Sequence, residues 1–176
     1  GAELPPVYIY AVETAIQMTL TELNENLREI YIEAYTQKEA SEYILQETAK
    51  ELYQIFGSYQ PQLTPRDFYD MEIGSASIMR GYMAHPCDEV LTLEKKVRLF
   101  LTMSLRAYHV PAEEIEAAIR FVEGLDIRAI AEQVMQELFQ ELAMHFEFSL
   151  AELAAPTKQE EATTCSRGNA QTESEV

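Results

Sequence analysis

The apolar residues of this chain recur with helical spacing in seven successive segments. No stretch alternates apolar and polar residues with the period of two that a half-buried β-strand requires. Prolines, glycines and short polar runs separate the segments, and such residues end helices. The sequence therefore predicts an all-α bundle of about seven helices. They are expected at residues 6–24, 25–35, 38–58, 65–85, 92–110, 111–124 and 126–148.

The length and the distribution of apolar residues predict one folded domain and a tail. The 176 residues suit a single domain, which we assign to residues 1–155. Residues 156–176 contain no large apolar side chain before Val176. Such a segment cannot bury enough surface to offset the entropy of ordering it. We therefore expect residues 156–176 to be a disordered polar tail.

The strongly acidic composition excludes one class of function. Thirty acidic against thirteen basic residues give a formal charge of −17, whereas binding to nucleic acid depends on Lys and Arg neutralising phosphates. This chain alone is not expected to bind DNA. It contains no run of about 18 uncharged apolar residues, and no secretory signal is visible at its start. We expect a cytoplasmic protein that does not associate with membranes.

A search for catalytic motifs gives no candidate. The sequence has no glycine-rich phosphate loop, no HExxH and no CxxC, and its three histidines fall on different helices or helix ends. The two cysteines, Cys87 and Cys165, do not have the spacing of a metal site. We therefore expect neither an enzyme nor a cofactor nor a bound metal.

We expect two faces of the fourth predicted helix, 65–85, to be buried. Its narrow side carries the small residues Gly74, Ser77, Gly81 and Ala84 at the spacing of a helix seam. A glycine inside a helix costs about 1 kcal/mol against alanine, so something must offset that cost. Small residues allow a second helix to approach closely. That helix belongs either to this chain or to a second copy of it.

The broad side of the same helix is rich in methionine and aromatic residues. It suits either an ordinary core or the wall of a cavity, since methionine fits irregular shapes. Glu72 lies amid Phe68, Ala76, Met79 and Met83 on this side. A carboxylate in such surroundings must find a partner, accept a raised pKa or meet a polar group of a ligand.

The fifth predicted helix also has more apolar surface than one neighbour can cover, which points to association between copies. Two adjacent helices of this kind favour a four-helix bundle made by two chains. A tightly packed monomer would give the same pattern. For the dimer, the predicted interface residues are Gly74, Ser77, Ile78, Gly81, Ala84, Leu101, Leu105 and Tyr108.

Three stretches carry a resemblance to a known family. They are NENLREIYIEAYTQKEASEYI, TPRDFYDMEIGSASIMRGYMAHPCDEVLTLEKKVRLFL and SLRAYHVPAEEIEAAI. They resemble the C-terminal effector-binding and dimerisation domain of TetR-family transcriptional regulators, especially those of anaerobic Firmicutes, over roughly residues 8–148. The resemblance implies a homodimer through the helices at 65–85 and 92–109. It also implies a small-molecule pocket enclosed by the preceding helices, in which an inducer shifts the helices and releases operator DNA.

The chain departs from the family pattern at its start. The family places a helix-turn-helix of about fifty residues before such a domain, and here the first helix begins a few residues from Gly1. Either the chain is truncated, as its Gly-Ala start suggests, or it is a relative without a DNA-binding head. Operator binding is then expected only through that absent segment, and this chain would be the regulatory domain of a repressor.

The predicted ligand-binding residues follow from helix facing and composition. They are Tyr8, Val12, Met18, Tyr31, Tyr35, Tyr53, Met71, Glu72 and Met79, each of which also suits an ordinary core. The effector could be a cation, a lipid-like acid or a metabolite, and Glu72 favours a cation or a hydrogen-bond donor. The alternative function is a helical interaction or dimerisation module without a ligand, which a cavity filled by side chains would favour.

Overall fold

The computed structural model describes the backbone of residues 4–154 and the side chains of residues 4–141 and 143. Within those residues the chain forms seven α-helices and one short 3-10 turn, with no strand, which confirms the predicted all-α fold. The helices are α1 (Pro6–Leu23), α2 (Glu25–Ala34), α3 (Lys38–Phe56), α4 (Pro65–Ala84), α5 (Leu93–Ala107), α6 (Ala112–Glu123) and α7 (Ile127–Ala154). None of the described helices combines the length and the apolar composition that crossing a bilayer requires.

The described chain separates after residue 138 into two units, residues 4–138 and residues 139–154. The first unit contains α1 to α6 and the beginning of α7, and the rest of α7 belongs to the second. The predicted tail, 156–176, lies outside the described residues, so its disorder stays a prediction. The features described below all belong to the first unit.

Local side-chain chemistry explains where several helices begin. The Thr64 hydroxyl accepts a hydrogen bond from the Asp67 N–H at 3.3 Å, and the Asp67 carboxylate accepts one from the Thr64 N–H at 2.7 Å. Pro65, the first residue of α4, lies between the two residues of this reciprocal capping box. Thr92 and Asp126 each accept a hydrogen bond from the N–H three residues further on, at the starts of α5 and α7.

The end of α5 is set by a left-handed residue. His109 has a φ of 60°, and its N–H donates to the Arg106 carbonyl at 3.0 Å. The Val110 N–H reaches back to the Leu105 carbonyl at 3.0 Å. This pair of bonds is the Schellman arrangement that closes a helix. Tyr108 is the C-cap residue of α5, and its side chain lies in the core.

An aromatic stack lies at the centre of the first unit. The ring of Tyr108 is nearly parallel to that of Phe56, at a centroid distance of 4.6 Å and an angle of 5°. Its centroid is 5.8 Å from that of Phe68, with planes 11° apart. All three side chains are buried, so the stack joins the ends of α3 and α5 to the start of α4. It also fixes where the Tyr108 hydroxyl lies.

Candidate functional site

A cavity of about 380 Å³ lies among α1, α2, α3 and α4, with one residue of α5 in its wall. This volume falls in the range of small-molecule sites. Its wall combines aliphatic, aromatic and polar side chains. The lining residues are Tyr10, Glu13, Thr14, Gln17, Ile30, Tyr31, Ala34, Tyr35, Ile44, Thr48, Glu51, Leu52, Ile55, Glu72, Ser75, Ala76, Met79 and Phe100.

Helical spacing explains how each helix contributes to the wall. On α1, Tyr10, Thr14 and Gln17 follow the i, i+4, i+7 rhythm of a single stripe. On α4, Glu72 and Met79 are seven residues apart, which again places them on one stripe. Each of these helices therefore turns one face toward the cavity and uses its other sides for packing.

Glu72 is the most unusual group in this wall. It is 4 % exposed, and its carboxylate forms no ion pair with any described residue. Burial raises the pKa of Glu72 to about 7, and the Tyr108 hydroxyl beside it partly offsets that rise. The Tyr108 hydroxyl is itself buried and has no hydrogen-bond partner among the described groups, so the two side chains do not meet in hydrogen-bonding geometry. The predicted burial of Glu72 is confirmed.

Two tyrosines lie close enough to this carboxylate to feel its charge. The Tyr10 hydroxyl lies 2.6 Å from the Ser104 hydroxyl, a hydrogen bond that joins α1 to α5. Burial raises the pKa of Tyr10 to about 12, and the charge of Glu72 adds to the rise. Burial and the same charge also raise the pKa of Tyr108. Both phenols are therefore protonated and uncharged at neutral pH.

The charged residues in the cavity wall are all acidic. Glu13, Glu51 and Glu72 line the cavity, and the lining includes no Lys, Arg or His. Arg80 is close enough to act on the Tyr35 hydroxyl but is not a lining residue. Within the described residues, no group of three or more His, Cys, Asp or Glu side chains could hold a metal ion. The wall can therefore offer negative charge, hydroxyl groups and aromatic faces to a ligand.

Four of the nine predicted ligand-binding residues line this cavity: Tyr31, Tyr35, Glu72 and Met79. Whether they contact a ligand stays a prediction. The wall also contains residues that the sequence analysis did not select, above all Tyr10, Thr14 and Gln17. Their shared stripe on an otherwise apolar helix was the signal that could have identified them.

The other five predicted residues lie elsewhere, which corrects the predicted site. Met18 is 1 % exposed inside the core, and Val12 and Met71 pack against that core. Two aromatic residues face other partners: the Tyr8 ring meets Phe121 edge-on at 5.1 Å, and the Tyr53 ring meets Phe68 at 5.3 Å. The physical reason is that α1 and α4 are packed on several sides, so an apolar position does not by itself identify a cavity wall.

The predicted dimer interface divides into an exposed part and a buried part. Gly74, Ser77, Gly81 and Ala84 are exposed, and a Cβ atom added at Gly74 or Gly81 would meet nothing within 4 Å. No helix of the described chain therefore covers the small residues. Within the described residues, packing against another helix of the same chain does not explain this seam. Ile78 is half-buried against the core.

Three predicted interface residues of α5 and its C-cap are corrected by the structure. Leu101, Leu105 and Tyr108 are each 0 % exposed within a single chain, so they are not available to a second copy. The other side of α5 carries Leu99 and Met103, which are 38 % and 46 % exposed. These two residues are the surface apolar groups of this helix, and periodicity alone did not separate the two sides.

One contact links the exposed faces of α4 and α5, whose small and apolar residues we together call the apolar surface. Met103 lies beside α4, because its sulfur accepts a hydrogen bond from the Tyr82 hydroxyl at 3.7 Å. On α4, Ile73 is 46 % exposed and lies next to the small residues. The apolar surface consists of Ile73, Gly74, Ser77, Gly81, Ala84, Leu99 and Met103.

A second cavity, of about 270 Å³, lies among α1, α5, α6 and the start of α7. Its lining includes the charged side chains Arg98 and Glu123, which pair with each other at 2.9 Å. Arg98 also pairs with Glu116 at 3.2 Å. The first cavity differs in this respect, since it contains acids and no lining cation.

The likeness to TetR-family regulators stays a prediction from the sequence. The structure shows a helical fold with a cavity that is partly lined by exposed residues. Comparisons of the chain with models of known protein families, with curated proteins and with solved structures gave no match.

Proposed function

We propose that this chain is the effector-sensing and dimerisation domain of a TetR-like transcriptional repressor, acting in the cytoplasm. The observation that carries the proposal is the 380 Å³ cavity among α1 to α4, which has the size of a small-molecule site. The effector binds in this cavity. Contacts with operator DNA come from a helix-turn-helix segment that these 176 residues do not include.

The position of α4 supports a link between the cavity and the apolar surface. Glu72 and Met79 of this helix line the cavity, while Gly74 and Gly81 are exposed on its outer side. An effector that displaces α4 therefore moves the apolar surface as well. Packed helices shift between discrete arrangements, so a small displacement inside can change an interface outside.

The apolar surface supports a homodimer. Its glycines and small residues allow a second α4 to approach closely, and Ile73, Leu99 and Met103 supply apolar area around them. A glycine in an exposed helix costs about 1 kcal/mol, and a close helix crossing offsets that cost. The same surface would serve the alternative function, a helical interaction module without a ligand, but that function leaves the cavity without a role.

The proposal is tested by ligand screening with a variant that fills the cavity. Ala34 lines the cavity and is half-buried, whereas Ala112 is exposed at the start of α6. Compounds that raise the melting temperature of the parent chain are titrated by calorimetry into the parent, Ala34→Leu and Ala112→Leu. We expect Ala34→Leu to weaken binding at least tenfold and Ala112→Leu to leave it unchanged. A chemically diverse library in which no compound binds the parent would contradict the proposal.

A further inference from the structure

We propose that the cavity selects an organic cation with an apolar body, for which the Glu72 carboxylate is the counter-ion and aromatic rings form the walls. This inference rests on the proposed function, because it names the chemical class of the effector. It is carried by the acidic wall, by the lack of an ion pair for Glu72 in the described chain and by the aromatic residues in the lining.

The charge of the wall disfavours an anion. An anionic ligand would approach the buried Glu72 and the exposed acids Glu13 and Glu51 in a space where no lining residue carries positive charge. The repulsion from Glu72 is the strongest of the three, because the effective dielectric constant around a buried charge is lower than that of water. A cation in the same space meets favourable charge from three helices, α1, α3 and α4.

The state of Glu72 points to a missing partner. A carboxylate that is 4 % exposed pays a desolvation cost that an ion pair or hydrogen bonds normally offset. The same fold satisfies this requirement at Lys96, which is 1 % exposed and pairs with Glu22 at 3.2 Å. Glu72 has no such ion pair in the described chain and borders the cavity, so a cation bound in the cavity would be its counter-ion and would hold it in the charged form.

The unsatisfied hydroxyl of Tyr108 is a second observation beside the same carboxylate. It is buried and makes no hydrogen bond within the described residues, although Tyr10 nearby is bonded to Ser104. Buried hydroxyl groups are almost always paired. When the Glu72 carboxylate is held in its charged form by a bound cation, a small adjustment brings the Tyr108 hydroxyl into position to donate to it.

The aromatic rings suit the rest of a cation. Tyr10, Tyr31, Tyr35 and Phe100 line the cavity, and aromatic faces attract a positive charge within about 6 Å of their centres. The remaining wall includes aliphatic side chains of α2 and α3, which favour an apolar body. A quaternary or tertiary amine that carries an aryl or alkyl group has both features.

Three matched probes test the inference on the parent chain. They are 4-phenylbutyl-trimethylammonium, its neutral analogue in which carbon replaces nitrogen, and 5-phenylpentanoate, each titrated by calorimetry at pH 8. We expect the cation to bind at least tenfold more tightly than the neutral analogue, and the carboxylate to bind more weakly than both. Equal affinity for the cation and the neutral analogue would overturn the inference while leaving the cavity as a ligand site.

A pair of variants assigns the preference to Glu72. Glu72→Gln keeps the shape of the side chain and removes its charge, and Glu89→Gln does the same at an exposed residue away from the cavity. We expect Glu72→Gln to reduce the preference for the cation to less than threefold, and Glu89→Gln to retain it. Circular dichroism melts check that both variants are folded, and the comparison of the three probes on the parent does not depend on either variant. The inference would be overturned if Glu72→Gln kept the preference for the cation, or if none of the three probes bound the parent chain. The proposed function would be contradicted only if no compound of the diverse library bound the parent chain either.

Discussion

The ammonium group of Lys96 lies 3.2 Å from the Glu22 carboxylate, an ion pair that joins the end of α1 to α5. The same ammonium donates to the His85 carbonyl at 2.5 Å, and the Cys87 N–H donates to the other oxygen of Glu22 at 2.9 Å. Partial burial opposes ionisation of Glu22, but the hydrogen bonds from Cys87 and Lys96 prevail and lower its pKa. The segment between α4 and α5 is therefore held through one buried lysine.

Replacing this lysine should destabilise the fold strongly. Lys96→Met leaves Glu22 and the His85 carbonyl without their shared donor, while Glu22 keeps its pairing with Arg28 at 3.7 Å. Losing a hydrogen bond to a charged group typically costs about 1.5–3 kcal/mol. The matched control is Lys95→Met, since Lys95 is exposed and its loss should cost less than about 0.5 kcal/mol. Urea unfolding followed by circular dichroism measures both. Equal effects of the two substitutions would show that the buried pair contributes no more than a surface lysine.

Two chemically identical substitutions should have opposite effects at Tyr10 and Tyr108. Tyr10→Phe removes the hydrogen bond to Ser104 and should cost about 1 kcal/mol. Tyr108→Phe removes a buried hydroxyl that has no partner in the described structure, so the free energy of unfolding should stay the same or rise. Chemical denaturation of the two variants decides the matter. A loss at Tyr108→Phe as large as that at Tyr10→Phe would mean that its hydroxyl is bonded, with Ser75 and Glu72 as the candidate partners.

The stability of the ligand-free chain should depend on pH through Glu72. Burial raises the pKa of Glu72 from 4.5 to about 7, so the folded chain binds this proton more tightly than the unfolded chain. The resulting stabilisation is complete below about pH 4.5 and is lost as the pH rises through about 7. Each unit of pKa shift corresponds to about 1.4 kcal/mol, which gives a change of a few kcal/mol.

The comparison with Glu72→Gln isolates this contribution from those of other titrating groups. Relative to the variant, the free energy of unfolding of the parent should fall between about pH 4.5 and 7 and then level off. Denaturant titrations at four or more pH values measure the difference. A constant difference across this range would show that Glu72 keeps its ordinary pKa in the folded chain.

Substitution at Gly81 should show whether the chain is a dimer or a monomer. In a dimer, Gly81→Leu places a side chain in a close helix crossing on both copies, which should remove a few kcal/mol of association energy. In a monomer, the site is open, and leucine should raise the melting temperature because it favours a helix by roughly 1 kcal/mol over glycine.

Sedimentation equilibrium of the parent, Gly81→Leu and the exposed α3 control Gln54→Leu distinguishes these outcomes. We expect the parent and the control to dimerise and Gly81→Leu not to. A parent chain that is monomeric at about 100 μM would contradict the dimer, since an extensive apolar interface associates well below that concentration.

The sequence by itself determined the helices and their order. The seven segments agree with the structure, and the side chains of Thr64, Thr92 and Asp126 cap the helices that follow them. Each of these features depends on residues three or four positions apart, which the sequence shows directly. The burial of Glu72 was predictable for the same reason, since its neighbours on the helix are apolar.

Only the tertiary structure decided which neighbour each buried face meets. Tyr8 and Tyr10 lie on the same helix, yet one packs against Phe121 and the other lines the cavity. On α5, Leu101 is enclosed by its own chain while Leu99 is exposed. Helical periodicity gives the angle of a side chain around its axis, but not what occupies that direction. Burial in the core, around a cavity or against a second copy removes the same apolar area from water, so the three leave the same pattern in the sequence.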